Sequence, residues 1–167
     1  QSFAHSLLYS MILKGKKGII FGALDSQSIA WKVAERCVEE GAQIVLTNAP
    51  VAMRMGEINT LAEKCKAPVI PADKVDFVLH SIGMSVNVRK GKAYTDLNYE
   101  WMQKTFDVSA ISFHKMMQTM WKLDAISDWG SVVGLTYIAA QRVFPDYSEM
   151  AESKALLESF ARSFGYH

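Results

Sequence analysis

A tyrosine and a lysine near the end of the sequence could share a catalytic site. Tyr147 and Lys154 are seven residues apart, in a stretch whose hydrophobic spacing predicts a helix over about 147–164. On such a helix they lie two turns along one face, and the lysine side chain leans back toward the tyrosine. A nearby ammonium favours the phenolate and strengthens the tyrosine as an acid or hydrogen-bond donor. The lysine could also hold sugar hydroxyls, although this spacing arises often by chance.

A glycine turn near the other end could bind a pyrophosphate. The segment GALDSQSIA, residues 22–30, follows a short apolar run and opens a predicted helix. Gly22 allows a sharp turn, Ser28 can add a hydroxyl donor, and a helix N-terminus favours anions. The segment departs from the three-glycine dinucleotide fingerprint. A plain strand-to-helix turn with Ser28 as its cap therefore stays open as the alternative.

Alternating strands and helices must position these two segments. Apolar runs predict strands, and helical spacing predicts the segments between them. This alternation indicates an α/β fold, a Rossmann-like doubly wound parallel sheet, with Tyr137 at the carboxyl end of its last strand, where such sheets bind ligands. The predicted strands are 17–24, 43–47, 68–72, 75–82 and 131–137, and the predicted helices are 28–41, 53–65, 94–123 and 147–164.

One connection in this pattern is too short. Only Lys74 separates the strand that ends near Asp73 from the strand that begins at Val75, whereas parallel neighbours need a crossover of about a dozen residues. Either the two strands form a hairpin, or a crossover helix is lacking, and we favour the second. The sequence also stops after a helix, so the sheet is expected to lack its C-terminal strands. We expect a tag or disordered leader at 1–10 and one incomplete dinucleotide-binding domain at 11–167.

The composition argues for a cytoplasmic protein with a small-molecule ligand. The 167 residues carry 18 Lys and Arg against 17 Asp and Glu, a net charge of +1, which gives no field to recruit nucleic acid or a membrane surface. No apolar run is long enough to span a membrane. Cys37 and Cys65 lack metal-ligand spacing and are expected to be reduced thiols. We expect no metal site, and His80 is expected to be a packed structural residue. The basic run at 89–92 is expected to be a solvated loop rather than a phosphate patch.

Three segments in register resemble a known family. GALDSQSIA (22–30), HSIGM (80–84) and TYIAAQRVFPDYSEMAESK (136–154) resemble the cofactor loop, the fourth-strand motif and the active-site segment of bacterial NADH-dependent enoyl-[acyl-carrier-protein] reductases, which are short-chain dehydrogenases/reductases. The resemblance runs from about Leu13 to Tyr166. It implies reduction of an acyl-carrier-protein-linked trans-2-enoyl thioester in fatty-acid elongation.

The resemblance also implies roles for individual residues. Tyr137, Tyr147 and Lys154 match the catalytic residues, and both tyrosines also match substrate contacts, as does Ser85. Lys154 matches the lysine on the nicotinamide ribose. The remaining matches are to cofactor contacts: Gly22, Ser28, Ile29, Asp73, Ser81, Ile82 and Gly83.

The cofactor and the assembly are implied by the resemblance alone. The second strand ends at Thr47 without an acidic residue for a ribose hydroxyl or an adjacent arginine for a 2'-phosphate, so NADH is preferred to NADPH only because the family uses it. A homotetramer is also implied, and Trp121 with the methionines Met116, Met117 and Met120 fits a core or subunit interface. Two alternatives remain: an NADPH-dependent carbonyl reductase, in which Gly134 stands where a serine is usual, or a truncated, non-catalytic nucleotide-binding fragment.

Overall fold

Four parallel strands form the sheet that the alternating pattern predicts. In the computed structural model, which describes residues 11–47, 57–67 and 74–167, the strands are β1 (Lys17–Phe21), β2 (Gln43–Thr47), β3 (Val75–His80) and β4 (Ile126–Gly134). Their order across the sheet is β2-β1-β3-β4. The chain therefore moves outward from β1 to β2 and then returns to the other side of β1. This reversal opens a crevice beyond the carboxyl ends of β1 and β3, where doubly wound sheets bind ligands.

The pairing of β3 bears on the short connection before it. β3 pairs in parallel with β1 on one edge and with β4 on the other. From Phe77 onward both edges of β3 are paired, but residues 68–72, the other half of the alternative hairpin, are not described, so the choice between a hairpin and a lacking crossover helix stays a prediction. Lys74 forms an ion pair with Asp124 at 2.7 Å. The predicted strand at 68–72, Asp73 and the predicted leader at 1–10 lie outside the described residues.

Helices cover both faces of the sheet. They are α1 (Ile29–Glu39), α2 (Glu57–Lys64), α3 (Val86–Arg89), α4 (Tyr99–Phe106), α5 (Ser112–Lys122) and α6 (Met150–Tyr166). A π-helical turn, Asp107–Ile111, joins α4 to α5, and single 3-10 turns occur at Tyr94–Asp96 and Ile138–Ala140. The long helical region predicted over 94–123 is thus confirmed only from Tyr99 to Lys122, with an internal π-turn; Tyr94–Asp96 is a separate 3-10 turn, and Leu97 and Asn98 have extended backbone. The one-turn helix α3 was not predicted, and the basic run at 89–92 begins at its last residue.

Alternate residues of the strands serve two separate cores. Ile20 and Ile44 pack with α1 and with Leu61 of α2 on one face, while Val78 packs with Met120 of α5 on the other. A third cluster joins α5 to α6 through Ala110, Phe113 and Leu157. Cys37 and Cys65 are free thiols in the first core, and burial raises the pKa of both. Helices α1, α2 and α5 are therefore fixed to the sheet through their apolar faces, and α6 packs on α5.

Several element boundaries differ from prediction near the site: β1 ends at Phe21 rather than at 24, β3 at His80 rather than at 82, and β4 at Gly134 rather than at 137. β4 begins at Ile126, not at Ser131, but its pairing with β3 is irregular between these residues, and Trp129 has a φ of 61°. The regular part begins at Ser131, as the alternation indicated. Helix α6 begins at Met150, three residues later than predicted, so Tyr147 is not part of it. Within the described ranges, no helix is long and apolar enough to cross a membrane.

Candidate active site

The turn between β1 and α1 requires a glycine at its first position. Gly22 has a φ of +96°, which side chains rarely adopt, and a Cβ added there would overlap the Ser81 carbonyl oxygen. Its amide donates to the Thr47 carbonyl at 2.9 Å, and the Ser81 amide donates to the Phe21 carbonyl at 3.1 Å. The ends of β1, β2 and β3 thus meet at Gly22. The predicted cofactor loop and the fourth-strand motif are in direct contact.

Ser28 is the N-cap of α1. Its Oγ accepts from the Trp31 and Leu24 amides, both at 3.3 Å, and donates to the Asp25 carbonyl at 2.9 Å. The expectation that Ser28 offers a hydroxyl donor to a ligand is not supported, because its hydrogen is used within the loop. Ile29, which follows it, is 62% exposed. Any anion bound here would therefore be held by backbone amides of the first turn of α1.

Lys154 connects the ends of β3 and β4. It is only 7% exposed, and its Nζ donates to the carbonyls of Ile82 at 2.9 Å and Leu135 at 2.8 Å. Burial lowers its pKa from 10.5 to about 8. A Cβ added at Gly83 would lie 3.7 Å from the same Nζ. The lysine thus faces the predicted cofactor wall, Ile82 and Gly83, and its hydrogen bonds go to main-chain carbonyls rather than to a tyrosine.

Tyr147 lies in a tight turn rather than on the helix. Its neighbours Asp146 and Ser148 both have positive φ, at 64° and 40°, and α6 begins only at Met150. The prediction that Tyr147 and Lys154 share one helical face is therefore wrong. The turn nevertheless brings the ring of Tyr147 to 5.2 Å from that of Tyr137. The two tyrosines predicted to be catalytic are thus neighbours.

Tyr137 has a buried hydroxyl oxygen without a hydrogen-bond partner among the described residues. Burial, followed by the nearby Tyr147 and Glu152, raises the pKa of Tyr137 to about 12. The phenol therefore keeps its proton at neutral pH and remains a hydrogen-bond donor. Because an unpaired buried hydroxyl is unfavourable, this group is poised to donate to a ligand.

Ser85 belongs to a buried network that the sequence did not reveal. Its Oγ donates to Glu149 Oε1 at 2.7 Å and accepts from the Val88 amide at 3.0 Å, capping α3. The Glu149 side chain is fully buried. In sequence, a glutamate at the start of a predicted helix is typical of an exposed residue that complements the helix dipole, so no signal marked it. The predicted substrate contact of Ser85 stays a prediction.

The π-turn places a serine that the sequence did not predict against the fourth-strand motif. Ser109, which is fully buried, accepts from the Met84 amide at 2.9 Å, and its Oγ lies 3.2 Å from the Met84 carbonyl. π-turns occur frequently at functional sites because they redirect side chains within a helix. Ser109 therefore contacts both the amide and the carbonyl of Met84, and these contacts hold the segment that follows Gly83 in place.

His80 is a structural residue, as predicted. It is 1% exposed, its Nε2 lies 2.9 Å from Ser112 Oγ, and its ring packs edge-on against Phe113. Burial, followed by the charge of Lys154, lowers its pKa to about 4. His80 is therefore neutral near pH 7.

A cavity of about 790 Å³ lies against the segment between Tyr137 and Tyr147, although neither of these two tyrosines lines it. Its walls are residues 92–94, the segment 139–146 and the first turns of α6. Tyr94 donates its hydroxyl hydrogen to Glu152 at 2.7 Å across it. This size is within the range of small-molecule sites.

These features fit a nicotinamide dinucleotide. Gly22 and the start of α1 would hold the pyrophosphate, the main chain at Ile82 and Gly83 would border the nicotinamide side, and Lys154 is the buried cation nearest to it. The unpaired hydroxyl of Tyr137 is a donor for an oxygen atom of a bound substrate. Asp73, the predicted adenine contact, lies outside the described residues.

Comparison with known proteins gives the family. The family model described as "Enoyl-(Acyl carrier protein) reductase" matches residues 22–74 and 72–167. The two matched ranges meet at the connection that the sequence marked as too short. The match includes the turn at Gly22, the turn at Tyr147, and the site residues Tyr137 and Lys154. Residues before Gly22 lie outside it.

Individual relatives agree. The chain is 30% identical to an enoyl-[acyl-carrier-protein] reductase [NADH] 1 from Rhizobium meliloti, with 92% of this chain and 62% of that protein covered. It is 30% identical to the FabI protein of Rickettsia felis, with 89% and 64% covered. The crystal structure of FabI from Alistipes finegoldii is 60% identical, with a TM-score of 0.88 over 94% of this chain and 68% of that one. A FabI–NADH complex from the same organism matches equally well. The chain thus spans somewhat less than two thirds of the length of these curated relatives.

Proposed function

Because this chain belongs to the enoyl-[acyl-carrier-protein] reductase family, we propose that the protein reduces trans-2-enoyl thioesters on acyl carrier protein, with NADH as cofactor. The observation that carries the proposal is the unpaired, buried Tyr137 hydroxyl, 5.2 Å ring to ring from Tyr147. The two phenols follow β4 at the carboxyl edge of the sheet, where the buried Lys154 donates to the Leu135 carbonyl. The curated relatives are named for NADH, which supports this cofactor over NADPH.

The binding half of the proposed reaction uses main-chain groups and one lysine. The positive φ of Gly22 lets the chain turn sharply before α1, so that the amides of its first turn can receive a pyrophosphate. Lys154 Nζ donates to two carbonyls. Because an ammonium has three hydrogens to donate, the third could donate to a ribose hydroxyl. Ser81, Ile82 and Gly83 form the adjoining wall, and bound NADH would supply the hydride.

The tyrosines would act on the thioester. Tyr147 is 41% exposed and can reach a bound substrate, so we assign it the hydrogen bond to the thioester carbonyl as negative charge develops on that oxygen. Tyr137 is a neutral donor at neutral pH because its pKa is raised to about 12, and it would support the same oxygen or Tyr147. A donor aimed at developing charge lowers a barrier by about 3 to 4 kcal/mol. The hydride would add to C3 of the enoyl group, negative charge would develop on the thioester oxygen, and a proton taken up from water at C2 would complete the reduction.

Assembly and location are parts of the same proposal. The exposed Trp121 and Leu123, at 65% and 70%, lie at the end of α5 and support a subunit interface, as in the homotetramer that we propose. The two free cysteines support a reducing, cytoplasmic location.

The test is turnover by the full chain, followed as loss of NADH absorbance with a trans-2-enoyl thioester. Tyr147→Phe is expected to keep NADH binding and lose about 100-fold or more of turnover, the loss typical of removing one such donor. Tyr99→Phe is the matched control, because Tyr99 is 80% exposed on α4. Unchanged turnover in Tyr147→Phe would overturn its assigned role.

Two other outcomes would replace the proposal. Turnover of a 3-oxoacyl thioester and none of the enoyl thioester would indicate a carbonyl reductase. NADH binding without turnover of either substrate would indicate a non-catalytic nucleotide-binding protein. The assay with both substrates separates these outcomes.

A further inference from the structure

Glu149 is a fully buried carboxylate that receives hydrogen bonds from two different elements. Ser85 Oγ donates to its Oε1 at 2.7 Å, and Asn87 Nδ2 donates to the same oxygen at 3.2 Å. Thr105 Oγ1 lies 2.8 Å from it. Ser85 and Asn87 belong to the cap and the turn of α3, whereas Thr105 belongs to α4. All four side chains are at most 4% exposed.

The network is polar where an apolar contact would be the simpler solution. Oε2 of Glu149 is buried and has no partner among the described residues, and burying a carboxylate is unfavourable unless donors compensate for the lost water. Apolar side chains of similar size could pack the same space. A carboxylate differs from them in that it fixes its donors at defined distances and directions. The network therefore specifies geometry more than it adds stability.

The geometry that it specifies includes Tyr147. Glu149 follows Tyr147 by two residues, and the Met150 amide donates to the Tyr147 carbonyl at 3.1 Å. The turn between them contains positive φ values at Asp146 and Ser148, and such backbone persists only where its surroundings hold it. The Glu149 side chain is the part of this turn that is anchored in the interior.

The other end of the network is the predicted cofactor wall. Ser85 directly follows Met84, whose main chain is fixed by Ser109. A rigid chain of contacts thus runs from the wall through Ser85 to Glu149 and from there to the turn of Tyr147. The separation between Tyr147 and the wall depends on the Ser85–Glu149 hydrogen bond.

We propose that Glu149 is a positioning residue, which sets the distance of the Tyr147 hydroxyl from the substrate held against the predicted cofactor wall, Ile82 and Gly83. This inference rests on the proposed function. It assigns Glu149 no contact with substrate or cofactor. Its contribution is to hold the turn and the wall at one separation through Ser85, Asn87 and Thr105.

The test is a double-mutant cycle in the full chain. Glu149→Gln keeps the size of the side chain and one acceptor oxygen, but it places an NH2 group where Oε2 is buried without a partner among the described residues. Either two buried donor hydrogens stay unsatisfied or the NH2 group turns toward the three donors, and a resulting displacement of about 1 Å at Tyr147 is expected to lower kcat about 10- to 100-fold. The KM for NADH is expected to change little. In the Tyr147→Phe background, Glu149→Gln is expected to cause little further loss, because the hydroxyl that it positions is already absent. Equal losses in both backgrounds would overturn the proposal.

Two further variants complete the test. Glu100→Gln is the matched control, because Glu100 is an exposed residue in the first turn of α4, and it is expected to leave kcat unchanged. Thr105→Val removes one donor while keeping the shape of the side chain, and it is expected to cause a smaller loss of the same kind. If Glu149→Gln does not fold, Thr105→Val carries the cycle, and additive losses there would overturn the proposal.

Hydrogen exchange separates a failure of this inference from a failure of the proposed function. Glu149→Gln is expected to speed amide exchange at both 84–88 and 146–150, and Glu100→Gln at neither. If the wild-type protein reduces no enoyl thioester, the proposed function fails, whereas the exchange result still reports whether Glu149 joins the two segments. Unchanged exchange in either segment would overturn the positioning role.

Discussion

Removing the Tyr137 hydroxyl is expected to make the ligand-free protein more stable and less active. The hydroxyl oxygen is buried without a partner among the described residues, and such a group costs about 1 to 3 kcal/mol. The variant Tyr137→Phe deletes that oxygen and keeps the ring in contact with Tyr147. We therefore expect the free energy of unfolding to rise by about 1 to 2 kcal/mol. For a chain of this length, each kcal/mol raises Tm by about 2 to 4 °C.

The measurement is denaturant unfolding of the ligand-free protein near neutral pH. The phenol is protonated there, because its pKa is raised to about 12, so no titration of Tyr137 complicates the comparison. Tyr147→Phe is the matched control for stability. Tyr147 is 41% exposed, and its variant is expected to stay within about 0.5 kcal/mol of the wild type.

Turnover measured on the same samples gives the second half of the prediction. If the unpaired hydroxyl is kept for a ligand, Tyr137→Phe gains stability and loses turnover together, as is common when a site retains an unfavourable group for function. A variant that is less stable than the wild type would refute the reasoning, since it would show that the hydroxyl has a partner in solution.

Three further predictions follow from other residues. His80 has a pKa lowered from 6.5 to about 4, so its contribution to the free energy of unfolding is fully present above pH 6.5 and is lost as the pH falls to 4, about 3 kcal/mol in total. His80→Gln should flatten the plot of unfolding free energy against pH between these values. An unchanged plot would contradict this prediction. Gly22→Ala is expected to cost on the order of 2 kcal/mol in denaturant unfolding, because of its positive φ and the overlap with Ser81, whereas Gly165→Ala, with open space around it, should be neutral or slightly stabilising. Lys154, with its pKa lowered to about 8, should lose its charge as the pH rises through 8, so NADH affinity measured by fluorescence titration should fall over that range. Lys154→Met should bind NADH about 10- to 100-fold more weakly than the wild type, with an affinity that does not depend on pH. Equal affinity of the variant and the wild type would argue against a ribose contact.

The sequence predicts the sheet well because its signals are local. The run at 43–47 is confirmed as β2 to the residue, since a buried parallel strand is a short apolar run bounded by turn residues. The sequence predicts β4 from Ser131, and regular pairing with β3 resumes at that residue. The irregular part from Ile126 depends on its pairing partner and on the positive φ of Trp129, neither of which the sequence pattern shows.

The sequence and the family resemblance predict which tyrosines belong together, but not how the chain places them. Tyr137 and Tyr147 are neighbours as the family resemblance implies, but the helical-face argument for Tyr147 and Lys154 is wrong because the chain turns sharply at Asp146 and Ser148. The sequence did not predict the role of Glu149, because the burial of a charged residue depends on tertiary structure. Its donors lie 44 to 64 positions away in the chain, so no spacing rule could connect them.

The π-turn at Asp107–Ile111 also constrains how the sequence of this helix can evolve. A π-turn closes i→i+5 hydrogen bonds and so holds one residue more than a turn of α-helix. Deleting one residue from it would restore regular helix and leave Phe113 and Met120 facing the cores that they face now, whereas the same deletion in the regular part of α5 would rotate every later residue by about 100°. A one-residue deletion should therefore be tolerated better in 107–111 than within 113–120, although it would remove the contacts of Ser109 with the Met84 main chain.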